Sequence, residues 1–89
     1  MTIYSMLGNA LNSAIWCLHC RNPKYGTGYD LEIKDEEVTL YLMSGPSSER
    51  DITMRLTATS KKSGYAFVEE ISTILQNQLF TLQKDNQEC

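Results

Sequence analysis

The chain has 89 residues, 42% of them hydrophobic and 21% charged, with a formal net charge of −3. These values exclude global disorder, and the length suits one domain, since chains divide only beyond roughly 250 residues. A pI near 5.0 lacks the basic footprint of a general nucleic-acid binder, and three cysteines, an odd number, argue against a disulfide scaffold and for a reducing compartment.

Residues 3–20 read as a helix. Ile3, Leu7, Leu11, Ala14 and Leu18 recur at spacings of three and four, with Tyr4, Ala10 and Ile15 flanking the stripe. Thr2 is the expected N-cap, and Asn22-Pro23 stops the helix because a residue before proline is driven from helical dihedrals. This segment is apolar, but it has no basic start. Gly8, Asn9, Asn12 and Ser13 interrupt it, and Trp16 stands where a lipoprotein signal needs a small residue before Cys17. No run approaches the ~18 apolar residues of a membrane span. The expected setting is the cytoplasm, with no membrane partner.

Lys24 to Gly28 reads as a loop. Tyr29, Leu31 and Ile33 alternate with Asp30, Glu32 and Lys34, the pattern of a half-buried strand. After the polar turn "KDEE", Val38, Leu40 and Leu42 face inward on a second strand. A Gly45-Pro46 loop leads to a third, with Ile52, Met54, Leu56 and Ala58 inward. A long helix follows over about Gly64 to Lys84, with Ser60 or Ser63 as N-cap, Glu69 and Glu70 near its positive start and Lys84 near its negative end. Its core stripe is Val68, Ile71, Leu75, Leu79 and Leu82, with Phe67 and Ile74 alongside. Short connections imply an antiparallel meander. The expected fold class is α+β, a two-layer sandwich of order α-β-β-β-α with both helices on one face of a three-stranded sheet. The chain reads as a single domain over 1–89, with 83–89 as a fraying tail.

The stretch "AIWCLHCRNPKYGTG" gathers the residue types of a chemical site. Cys17 and Cys20 form C-x-x-C at a helix C-terminus, whereas redox pairs sit at N-termini, where the dipole favours thiolate. Zinc needs four ligands. Cys17 and Cys20 supply two, Cys89 is a candidate third, and His19 lies about 100° or more from both around the helix. The expectation is no metal and no cofactor, with Cys17 partly buried beside the core and Cys20 and His19 on the surface. The single histidine has no Asp and Ser neighbours that suggest a triad, and "YGTGY" precedes a strand rather than a helix, unlike phosphate-binding glycines. No enzyme is expected.

More informative are apolar residues on polar faces. Trp16 lies nine positions from Leu7 and Phe80 nine from Ile71, each about 180° from its core stripe. Tyr41 and Met43 stand on the polar face of the second strand among Thr39, Thr53, Arg55 and Thr57. Several such residues in a small chain point to a contact surface, so Trp16, Phe80, Tyr41 and Met43 are the candidate partner-binding residues. An alternative is a small, nucleotide-like ligand at a dimer seam, with Gly26 and Gly28 offering backbone donors and Tyr25 or Tyr29 stacking on a ring.

Two resemblances bear on function. The element order is similar to that of double-stranded-RNA-binding domains, and "SKKSGYAFVEEI" resembles the family's segment in which a basic pair at the start of the second helix contacts phosphates. That resemblance would give Lys61 and Lys62 this role, and the alternative reading is a nucleic-acid-binding module that uses Lys61, Lys62, Arg55 and Arg50. This sequence has the acidic "KDEE" where the family carries its Gly-Pro-x-His loop. The order, size and acidity also resemble those of some small anti-CRISPR proteins, phage products that block Cas effectors by occupying protein surfaces. The apolar residues on polar faces and the second resemblance lead to the expectation of a small non-catalytic binding protein that acts by protein–protein contact, an inhibitor or regulator of the phage anti-defence type, with a protein partner or a second copy of itself.

Overall fold

The computed structural model describes residues 2–46 and 48–86, with side chains through Lys84. Helix α1 spans Ile3–Arg21. Thr2 Oγ1 accepts the Ser5 N–H at 3.1 Å, which satisfies one of the free donors of the first turn. At the other end the Asn22 N–H bonds to Leu18 O and Pro23 prevents continuation. The buried stripe is Leu7, Leu11, Ala14, Ile15 and Leu18. Where the sequence reads as loop, Pro23–Tyr25 forms one 3₁₀ turn. It folds the Tyr25 ring back into the core, leaving it 7% exposed.

Strands β1 (Gly28–Lys34), β2 (Glu37–Ser44) and β3 (Asp51–Thr59) form an antiparallel sheet in sequential order. Lys34 pairs with Glu37 across a two-residue turn, and Asp35 takes the left-handed conformation there, with φ 56°, which Asp tolerates better than most residues. On the covered face Leu31, Val38, Leu40, Leu42 and Ala58 are buried, with Tyr29, Ile33, Met54 and Leu56 partly so.

The alternation expected for β3 fails at one end. The β2–β3 register runs regularly to Leu42↔Met54 and then jumps to Met43↔Ile52, a β-bulge that leaves Thr53 without a partner. The Thr53 hydroxyl donates toward Leu42 O at 3.2 Å and Tyr25 O at 3.3 Å. The extra residue reverses the strand's facing, so Ile52 points away from the core and is 54% exposed, not inward as its spacing suggests.

Helix α2 spans Gly64–Asn86. It runs beyond the expected Lys84 and through residues 83–86 of the expected tail. Leu82 is still packed against the core there, and Gln83 and Lys84 are good helix formers. Gln87–Cys89, the rest of that tail, lie outside the described residues. Ser60 does not cap this helix directly. Its hydroxyl accepts the Lys62 N–H at 3.1 Å, ordering the turn before it, while Ser63 supplies the carbonyl that accepts from Phe67 N–H. The first turn carries no acidic residue, since Glu69 and Glu70 fall one turn later.

Phe67, Val68, Ile71, Leu75 and Leu79 are buried in the cluster that α1 and the sheet also build. Gln76 Nε2 donates to Ala10 O at 2.8 Å and Gln78 Nε2 to Thr57 O at 2.9 Å, which ties α2 to its neighbouring helix and to the β3 edge. The molecule is 18 Å across its thinnest axis, the depth of one helix layer on one sheet. The two-layer α+β sandwich expected from the periodicities is the observed fold.

Candidate functional site

The uncovered side of the sheet forms the most distinctive surface. Directly opposed residues of antiparallel strands share a face, so the register assembles three rows there: Glu32–Thr39–Thr57, Asp30–Tyr41–Arg55 and Gly28–Met43–Ile52. Tyr41 is its organising residue. The phenol donates to Glu32 Oε1 at 3.2 Å, and the Arg55 guanidinium lies over the ring at 5.4 Å from its centroid, a cation–π arrangement. Partial desolvation, and after it the Glu32 carboxylate, holds the phenol above its ordinary pKa of 10.0, against a smaller lowering effect of Arg55. Met43 is half-buried beside it, and Ile52 protrudes from the next strand. The sequence marks Tyr41 and Met43 but not Ile52, because its facing depends on a bulge that no local pattern signals.

Trp16 and Phe80 are 50% and 46% exposed, on the outer surface of the helical layer. They therefore lie on the opposite side of the sandwich from Tyr41 and Met43, so the four candidates do not form one patch. Trp16 meets His19 edge-to-face, with ring centroids 5.9 Å apart. Cys20 is exposed as expected, whereas the expected environments of Cys17 and His19 are exchanged. Cys17 and Cys20 are both exposed, whereas His19 is half-buried and its Nδ1 is enclosed without a hydrogen-bond partner among the described residues. The core stripe through Leu11, Ile15 and Leu18 turns the Cys17 position outward and draws the His19 ring toward the 3₁₀ turn.

The ligand alternative loses Tyr25 as a stacking group. Tyr25 is part of the core, with Lys24 Nζ 5.2 Å from its ring centroid. Tyr29 packs against the same core, its hydroxyl lying against Gly8 of α1. The Gly26 N–H is already taken by Pro23 O. The two glycines instead permit close packing. Gly26 has φ 73° and abuts the backbone of Met43 and Ser44, and Gly28 lies under the Arg50 guanidinium. A cleft remains between the end of α1 and the β2–β3 loop, lined in part by His19, Gly26, Gly28, Met43 and Arg50.

The basic residues are dispersed. Arg50 precedes β3 and Lys61 follows it, so they sit at opposite ends of a strand roughly 30 Å long. Lys62 Nζ pairs with Glu70 at 3.2 Å. The Ser60 hydroxyl and Lys62 both hydrogen-bond the Glu70 carboxylate and lower its pKa below the ordinary 4.5. Arg55 is on the open sheet face among Asp30, Glu32 and Tyr41. Among the described residues no group of three or more His, Cys, Asp or Glu side chains is placed to hold a metal ion, and Cys89 lies outside them. No helix among them is long and apolar enough to cross a membrane. Comparison with protein-family models, curated proteins and solved structures found no match.

Proposed function

We propose that this chain is a non-catalytic binding protein that acts by protein–protein contact through the open face of its sheet. The observation that carries this reading is the bulge at Thr53. It takes an isoleucine that a regular strand would bury and presents it beside Met43 and Tyr41. An aromatic ring, a thioether and a branched aliphatic side chain, bordered by Arg55, Asp30 and Glu32, have the make-up of an interface centre with a charged rim. Turning an apolar side chain into water gives the isolated domain nothing, whereas it gives a partner an anchor.

The acidic balance and the separation of Arg50, Arg55, Lys61 and Lys62 favour a protein partner over nucleic acid. Inhibition or regulation of a larger effector, of the phage anti-defence kind, suits a small chain with such a face, and an odd cysteine count suits the cytoplasm. Trp16 and Phe80 offer a second contact on the helical side.

The test uses the wild-type chain and its Ile52→Asp variant as matched baits. A partner bound by the first and released by the second is then purified and its affinity measured. Tyr41→Ala and Ile52→Asp should each weaken that complex by tenfold or more. The reading fails if both variants bind every wild-type partner undiminished, or if the chain binds RNA or DNA with an affinity that collapses as salt rises.

A further inference from the structure

A separate feature lies on the other side of the molecule. Cys17 and Cys20 are three residues apart in the last turns of α1, and both are exposed and unbridged. Side chains at this spacing are helix neighbours, about 60° apart in projection, with Cβ atoms about 5–6 Å apart. That separation exceeds the ~3.5–4.5 Å of a relaxed disulfide, so an intact helix keeps the pair as two thiols aimed into solvent. It also suits two sulfur atoms gripping one ion between them.

We infer that Cys17 and Cys20 form a two-coordinate site for a soft monovalent cation of the copper(I) class. Zinc requires four ligands, and no third His, Cys, Asp or Glu joins the pair among the described residues. His19 is on a different side of the helix and its Nδ1 is enclosed. A soft d¹⁰ monovalent cation needs no further ligand. It is satisfied by two thiolates in a near-linear arrangement, and thiolate sulfur is the donor type that selects copper(I). On binding, two S–H bonds break, two protons pass to the solvent and two metal–sulfur bonds form, with no change of oxidation state. The bound group gains a net charge of −1. The carbonyl end of the helix opposes that charge, while Arg21, one turn beyond Cys17 and without an ion pair among the described residues, offsets it. Trp16 lies beside Cys17 and one turn before Cys20, half-exposed, so the chain's single tryptophan reports occupancy.

The experiment is an anaerobic titration of the full chain with copper(I) held by a competing chromogenic chelator. Trp16 emission and thiolate-to-metal absorption in the near ultraviolet are followed together. The wild type should take one ion per chain, with quenched emission. Cys17→Ser and Cys20→Ser, both surface changes, should each lower the affinity at least 100-fold with unchanged helical circular dichroism, and Cys89→Ser should leave it unaltered. The double variant Asn12→Cys with Cys20→Ser keeps two exposed thiols on α1 but sets them about 140° apart, and should bind as weakly as a single-cysteine variant. The inference is overturned by no uptake in the wild type, by one ion shared between two chains, by loss of binding in Cys89→Ser, or by wild-type affinity in the rearranged pair.

Discussion

Gly8 offers a quantitative check on how α1 is seated. It is buried in the middle of the helix, where replacement by alanine ordinarily stabilises by about 1 kcal/mol because glycine loses more backbone freedom on folding. Here a Cβ would lie 2.5 Å from the Tyr29 hydroxyl oxygen, while the next ring atom is 3.5 Å away. The conflict therefore rests on one atom, which must retreat by about 0.9 Å to reach ordinary contact. Tyr29 is packed against the core, so its ring cannot swing freely, and such overpacking costs about 1–3 kcal/mol. Gly8→Ala alone should thus be neutral to destabilising, by up to about 2 kcal/mol. Tyr29→Phe removes the obstructing atom and leaves the ring at van der Waals distance. In that background Gly8→Ala should stabilise by about 1 kcal/mol. The double-mutant cycle, measured by urea unfolding with tryptophan fluorescence and circular dichroism, should give a coupling of about 1–3 kcal/mol. Additive effects of the two substitutions would refute this account of the α1–β1 contact.

Other outcomes follow from the same structure. Leu40→Ala, at a fully buried position in the central strand, should cost about 2–5 kcal/mol in chemical denaturation, a large share of the roughly 5–10 kcal/mol available to so small a domain. Ile52→Asp and Trp16→Ala, both at exposed positions, should shift the unfolding midpoint little, so any loss of association they cause is a property of the surface; a cooperative loss of fold in either would contradict the assigned facing. Glu70 has a folded pKa below its ordinary value, so its contribution to stability is fully present above pH 4.5 and is lost as pH falls through the folded value. Glu70→Gln should flatten the acid limb of a pH–stability curve, and an unchanged limb would show that the Ser60 and Lys62 contacts contribute nothing. Tyr41 should ionise above its ordinary 10.0 in an ultraviolet titration, and Glu32→Gln should move it back toward 10.0.

The sequence determines the elements and most of the core. Hydrophobic recurrence at three and four residues defines α1 and α2, and strict alternation defines β1 and β2, because each pattern is a local property of a helix or strand with one buried face. Thr2 and Pro23 delimit α1 through contacts with residues a few places away. Four placements depended instead on partners distant in the chain. Tyr25 enters the core because a 3₁₀ turn brings it against the sheet, with its carbonyl accepting from Thr53. Tyr29 is held under Gly8 of α1. His19 is half-buried with its Nδ1 enclosed while Cys17 faces outward, because the helix rotates to fit the surface beneath it. Ile52 turns away from the core because the β2–β3 register gains one residue. Alternation within β3 cannot foresee that change, since a bulge is a property of two paired strands and not of either alone. The sequence thus decides which residues are apolar and how each element is faced over its regular length. Only the packing of one element on another decides that Ile52 joins Tyr41 and Met43 on the open face of the sheet.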